Sequence, residues 1–468
     1  MRQAGLGSCA SRIVAPARCA VSPHPDALAR LQAYAARRSH GTGSAAPVRE
    51  LHVPWEFRHL TGRGDGVVRP GDESHVRGYA RKQSLFTRPL RALGVSAFTG
   101  PRTLNVLVAL VNFPDKSFSS GKTAPYFHDL FFSSGRRIPT GSVNEYYVET
   151  SRSAVALQGD VVGPYMLPQP STYYAGGTSG EGAPPQNAQT MAADTLEAMG
   201  SQAFKKYDND GDGFVDAFVI VHAGAAGEYT LEPDDLWSLK WILNGPPQVG
   251  SDGTQVFGFL TVSEDSTIGV CAHELGHLLF GLPDLYDTTY RSSGIGRWCL
   301  MAGGSWNGTN GNTPAHMSAW CMAKLGWAPV VPIASPSRVV FSPMESGGTI
   351  TRLDVGTSEY FLIENRQRAD FDSDLPGEGL LIFHIDDSRP DNTVPQPKVA
   401  LIQADGLAEL EAGTSRGDAG DPYPGSTGNT TFDAGSVPPL VAYGTGSGTI
   451  GVTAISASGS TVSADCSA

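Results

Sequence analysis

Two histidines four positions apart, His273 and His277, bracket Glu274 in the run 272–287, which reads Ala-His-Glu-Leu-Gly-His-Leu-Leu-Phe-Gly-Leu-Pro-Asp-Leu-Tyr-Asp. On an α-helix, residues i and i+4 share a face about one turn apart, so both imidazoles can offer a nitrogen to one metal ion. Glu274 stands beside the first of them, toward the place of a bound water, where a carboxylate serves as general base. This H-E-x-x-H set suits Zn2+-assisted hydrolysis, peptide bonds above all. A catalytic Zn2+ needs three protein ligands and an open position. After Gly281 and Pro283 the chain must turn, and Asp284 or Asp287 can then swing back as the third ligand. His316 is the rival for that place, and His316 or Tyr286 could stabilise an oxyanion.

The elements that must position these groups can be read around them. Ser266 or Thr267 can cap a helix whose apolar side is Ile268, Cys271, Ala272, Leu275 and Leu279, and Gly281 and Pro283 end it. The near-continuous apolar run 104–113 predicts a buried central strand, closed by Pro114-Asp115. A capping box, Ser142 with Glu145, predicts a helix over 142–150. A strand over 154–164 with a turn or bulge at Gly159-Asp160, a helix over 187–199, a strand over 217–222 and a helix over 314–325 follow. His222 reads as a core or supporting histidine, and Met301 as a hydrophobic floor or an ordinary core side chain.

The motif resembles that of the immune inhibitor A-type secreted metallopeptidases, members of the zincin group. In that family H-E-x-G-H is followed by Gly-x-Pro-Asp-x-Tyr-Asp, present here as residues 281–287. The resemblance implies Asp284 as third zinc ligand and Glu274 as catalytic base. One departure is Phe280, which puts Gly281 four rather than three residues after His277 and shifts the turn, so Asp287 stays open as an alternative. Similarity extends over residues 104–424, through Phe113-Pro114-Asp115, 142–147, 159–163, 296–308, Glu364-Asn365-Arg366, 379–386, 403–406 and 416–422. It implies an α+β, zincin-like catalytic domain with a mixed β-sheet and an active-site helix, followed by a β-rich C-terminal region.

A second metal is suggested at Asp208-Asn209-Asp210-Gly211-Asp212-Gly213-Phe214-Val215-Asp216. Alternating aspartates and glycine match the first half of a calcium loop, with Asp208, Asp210, Asp212 and Asp216 as oxygen ligands and Phe214 giving a carbonyl. Position twelve is Val219 rather than Glu, so a structural Ca2+ loop is expected and not an EF-hand; the alternative is an Asx-rich turn without metal. The aspartates of 416–422 suggest another cation or an ordered loop.

The chain has 468 residues, 40% of them hydrophobic and 17% charged, enough for two or three domains. Its 56 Gly and 33 Pro point to turns and β structure rather than a helical bundle. A net charge of −12 argues against nucleic-acid binding. No apolar run is long enough for a transmembrane helix. Arg2, Arg12, Pro16 and Arg18 interrupt any secretory apolar segment, against the extracellular location that the family implies.

The expected organisation is a propeptide-like region over 1–103, a catalytic domain over 104–329 and a β-rich region over 330–468. Helical spacing over 26–38 predicts a short helix in the first. Cys19 there could take the open zinc position as a latency ligand, though an ordinary thiol is the preferred reading. A Cys299–Cys321 disulfide is possible. The expected function is zinc endopeptidase acting on proteins or peptides. The alternatives are a non-catalytic, calcium-stabilised binding protein of the same fold and a zinc amidase with a non-protein substrate. Oligomeric state is not legible.

Overall fold

A computed structural model describes residues 19–30, 33, 102–356, 358–443 and 450–467. Most of the expected propeptide-like region, with the remainder of the helix expected over 26–38, lies outside these; residues 25–30 and 33 are helical.

The apolar run of the sequence forms an interior strand of a six-stranded sheet, but next to the edge strand rather than at the centre as expected. Its strands are β1 (Cys19–Ala20), β2 (Arg102–Asn112), β3 (Val155–Met166), β4 (Phe218–His222), β5 (Leu239–Ile242) and β6 (Gly258–Ser263). Their spatial order is β1-β5-β6-β4-β2-β3. The pairs β6–β4, β4–β2 and β2–β3 are parallel; β5 runs antiparallel to β6, and β1 antiparallel to β5. Strand β4 is buried along its whole length, as a parallel strand covered on both faces must be.

The turn or bulge expected at Gly159-Asp160 does not occur; β3 runs through both residues. A Cβ on Gly159 would stand 1.9 Å from the Val106 carbonyl oxygen, so glycine serves the close approach of β3 to β2 there.

Helices α1 (Ala124–Phe132), α2 (Val143–Thr150), α3 (Ala188–Met199), α4 (Ile268–Phe280) and α5 (Ala319–Leu325) pack around this sheet and its loops. The Ser142/Glu145 capping box starts α2. Its tyrosines then anchor distant segments: Tyr147 Oη donates to the Ala272 carbonyl at 2.6 Å and Tyr146 Oη to Ala315 at 2.8 Å. The helix expected over 314–325 is shorter, because 314–318 is not helical. Tertiary partners satisfy that backbone instead: Ala315 N–H donates to Gly304, His316 N–H to Asp372, and the His316 carbonyl accepts from Leu300.

Beyond residue 329 the described chain is mostly strand and turn, with short helical turns at Met344–Ser346, Asp370–Asp374 and Glu409–Ala412. Strands β7 (Val330–Pro332), β9 (Ile350–Asp354), β10 (Glu359–Arg366), β11 (Gly379–Asp386) and β12 (Val399–Ile402) form a mixed sheet ordered β12-β11-β10-β9-β7. Strands β8 (Ser337–Phe341), β13 (Gly451–Thr453) and β14 (Val462–Ser467) form another. Alternate residues of β10 and β11 serve two cores. Leu362, Leu381 and Phe383 join the large core around α4, whereas Phe361, Ile363, Leu380 and Ile382 join a smaller one with Val452, Val462 and Ala464. The change at 330 is therefore one of architecture, not a break in packing.

Candidate metal centre and active site

Helix α4 carries His273, Glu274 and His277 and is buried throughout. Gly281 ends it in the left-handed region at φ 63°, which suits glycine. Met301 packs beneath it: its Sδ lies 2.6 Å from where a Cβ on Gly276 would stand, so glycine between the two histidines lets the chain of Met301 close against the helix.

Past Gly281 the chain folds back and brings Asp284 to the histidines. Asp284 Oδ1 lies 3.2 Å from His273 Nε2 and 3.1 Å from His277 Nε2, and the two Nε2 atoms are 3.1 Å apart. Zinc–ligand bonds of about 2.0–2.1 Å at tetrahedral angles separate ligand atoms by about 3.3 Å, so the triangle has the size of one face of a zinc tetrahedron. The other ring nitrogens settle the tautomers. His273 Nδ1 faces the Leu300 carbonyl at 2.9 Å and His277 Nδ1 the Leu282 carbonyl at 2.6 Å. A carbonyl can only accept, so each Nδ1 carries the proton and each Nε2 turns a lone pair inward. Two lone pairs and a carboxylate oxygen thus converge on one point, an arrangement that calls for a cation.

Glu274 is fully buried, and neither carboxylate oxygen has a hydrogen-bond partner among the described residues. Burial raises its pKa well above the usual range; His277 and Lys240 oppose that, and Asp284 and Glu228 add to it. A carboxylate with empty hydrogen-bonding capacity beside a cation site is prepared to bind a water. Lys240, buried on β5, was not singled out by sequence; one lysine in the short strand Leu-Lys-Trp-Ile carries no local signal.

The other expected site residues lie as follows. Asp287 serves the turn after the helix, accepting from Thr289 N, Thr289 Oγ1 and Ser292 Oγ. Tyr286 is buried, its hydroxyl donating to the Ala20 carbonyl at 2.6 Å. His222 is buried at the end of β4 with Nδ1 on the Ala223 carbonyl. Cys299 and Cys321 have their sulfurs 3.9 Å apart, as neighbouring thiols and not a disulfide.

His316 is not placed with the metal ligands. Its Nε2 faces Glu149 at 2.7 Å and its Nδ1 faces Asp372 at 3.3 Å. Asp372 in turn takes a two-pronged contact from buried Arg366, 2.7 Å at Nε and 2.6 Å at Nη2. Burial lowers the His316 pKa, but Asp372 and Glu149 more than offset this and raise it above its usual value. A histidine with a raised folded-state pKa contributes most below its unfolded value, about 6.5, and loses that contribution as pH climbs through the raised value. His316→Gln is therefore expected to destabilise by about 1–3 kcal/mol at pH 6. The deficit should shrink at alkaline pH, as urea titrations across pH would show.

In the acidic loop, the carboxylates of Asp208, Asp210 and Asp216 come within 4.8 Å of one another. Gly211 and Gly213, at φ 77° and 91°, curl the chain so that Asp208 accepts from the N–H groups of residues 211, 212 and 213. Asp212 stands outside this group; its Oδ1 accepts from Phe214 N at 2.9 Å. Asp405, Asp418 and Asp421 form another cluster within 4.8 Å. There, turn hydrogen bonds to Leu407 N, Gly420 N and Asp418 N engage the carboxylates, and Trp298 Nε1 donates to Asp421.

Residues 99–327 match the family model described as immune inhibitor A peptidase M6, catalytic domain. The domain belongs to that family. The M6 domain resembles the pre-pro-metalloprotease PrtV of Vibrio cholerae serotype O1, 29% identical over 269 residues, 47% of this chain and 29% of the relative. It also resembles Immune inhibitor A of Bacillus thuringiensis subsp. alesti, 32% identical over 218 residues, 39% of this chain and 31% of the relative. The matched stretch thus spans less than a third of either relative. The family and these relatives mark the M6 domain as that of a metallopeptidase.

Proposed function

We propose that this protein is a zinc-dependent endopeptidase that cleaves proteins or peptides outside the cell, with His273, His277 and Asp284 holding the zinc. The observation that carries the zinc reading is the inward convergence of two Nε2 lone pairs and a carboxylate oxygen at 3.1–3.2 Å. Zinc bound there supplies the Lewis acidity that activates a water and polarises the scissile carbonyl. Glu274 takes the proton of the attacking water and passes it to the departing amine. Tyr286, whose hydroxyl already donates to the backbone carbonyl of Ala20, binds the carbonyl oxygen as it gains charge. The carbonyls of Leu300 and Leu282 keep the imidazoles oriented. An extended peptide pairs with the edge of the sheet. Export accords with the family resemblance and with the pre-pro form named in the Vibrio relative.

The test is casein hydrolysis by purified protein after limited proteolysis, with and without a zinc chelator. Chelator-sensitive cleavage into peptides supports the reading. A folded, zinc-loaded protein that cleaves no protein or peptide would overturn it and favour the binding-protein alternative.

A structural Ca2+ is proposed at Asp208, Asp210 and Asp216. Calcium added to the zinc-loaded protein should raise its melting temperature, with a gain of about 2.7 kcal/mol at a hundredfold excess over Kd. Asp208→Ala should abolish the response; an unchanged response would assign the calcium elsewhere.

A further inference from the structure

We propose that residues 19–22 act as a built-in pseudo-substrate, with the Cys19 thiolate as fourth ligand of the metal held by His273, His277 and Asp284. This deepens the zinc-peptidase reading and rests on it.

The segment lies where an extended peptide is expected to bind. Strand β1 adds antiparallel to the open edge of β5, with Cys19 opposite Lys240 and Ala20 opposite Leu239. The pairing continues outside the strand: Val21 N–H donates to the Ser238 carbonyl at 3.2 Å. Side chains of the M6 domain read the segment's carbonyls in turn. Tyr286 Oη donates to Ala20 O at 2.6 Å, Trp237 Nε1 to Val21 O at 2.8 Å and Trp306 Nε1 to Ser22 O at 3.0 Å. These contacts use backbone atoms that any peptide carries, so the M6 domain recognises its own N-terminal segment as it would a substrate strand. Next along the chain, His24 stacks on Tyr229 and bonds Asn310 Oδ1 at 3.0 Å.

The register puts a thiol at the metal site. The Cys19 sulfur and ligand atoms of His277 and Asp284 lie within 4.8 Å of one another, and Cys19 is buried. Independently, the two oxygens of buried Glu274 have no hydrogen-bond partner among the described residues. Thiolate is a strong zinc ligand, and three protein ligands plus a thiolate close the coordination shell that catalysis must leave open. On coordination the thiol gives its proton to solvent and no covalent bond is made or broken, so the block is reversible. Activity then requires residues 19–22 to leave β5. A chain cut anywhere between residues 30 and 102 would leave the segment held by non-covalent contacts alone.

The test uses the full chain with Co2+ in place of zinc, beside Cys19→Ala and Cys19→Ser. The wild type should show a sulfur-to-cobalt charge-transfer band together with the visible bands of tetrahedral cobalt. Both variants should lose the first, keep the second and still bind one metal per chain. Uncut zinc-loaded variants should also cleave casein at least about 10-fold faster than uncut wild type, since a larger fraction of molecules is open. Tetrahedral cobalt in the wild type without the charge-transfer band would overturn the proposal and leave the zinc reading intact, as would a band that survives in Cys19→Ala. A wild type that binds neither metal would remove the zinc reading itself and the proposal with it.

Discussion

Glu274→Gln is expected to lower casein cleavage by about 10²–10⁴-fold while the protein still folds and binds one zinc per chain. The amide keeps the volume of the carboxylate in a fully buried position but cannot take a proton from water. It is not among the metal-facing triangle atoms, so metal content should not change. Removing a buried carboxylate with no hydrogen-bond partner also removes a desolvation cost, so the variant should melt no lower than wild type. Zinc analysis, melting curves and rates on the same preparation separate these effects. A variant retaining activity within about tenfold of wild type would show that another group acts as the base.

Asp284→Ala should lose zinc. Partners that only orient metal ligands typically contribute 10–100-fold in affinity, so losing a ligand itself should cost more than about 100-fold. Two imidazoles would remain on α4 with their lone pairs 3.1 Å apart and no carboxylate to complete the set. Asp287→Ala is the control. Its carboxylate holds the turn through Thr289 and Ser292, so its loss should lower stability with little change in zinc affinity. Competition for zinc with a chromogenic chelator measures both. Loss of zinc in Asp287→Ala, with retention in Asp284→Ala, would reverse the assignment between the two aspartates.

Two groups outside the zinc triangle also differ in how they respond to chemistry. The network of Glu149, His316, Asp372 and Arg366 joins α2, the segment before α5, and β10. It ties the M6 domain to the C-terminal sheet through charge, so its pH dependence reports on stability and not on the reacting atoms. The acidic loop precedes β4 and hydrogen-bonds to β2 through Asn209, which accepts from Asn105 N at 2.7 Å. Ordering that loop therefore steadies β2 and β4.

Much of this was determined by the sequence alone, because its signals act over a few residues. The i, i+4 histidines, the apolar face of α4 and Gly281 as a left-handed stop are local signals, but they left Asp284 and Asp287 open, and the fold is what brings Asp284 to the histidines. The Ser142–Glu145 capping box and the apolar run of β2 are equally local. What only the tertiary structure decided joins residues far apart in the chain. Cys19 reaches the site across more than 250 positions because two residues of β1 find the open edge of β5. His316 looked like a ligand by residue type, but the carboxylates of Glu149 and Asp372 hold both its nitrogens elsewhere. Residues 314–318 had a helical start signal, yet the backbones of 300 and 304 and the Asp372 carboxylate take up their backbone hydrogen bonds instead. Periodicity and turn chemistry report what a chain segment favours by itself. Which edge stays open, and which charged group is nearest when the core closes, are set by contacts that no local pattern contains.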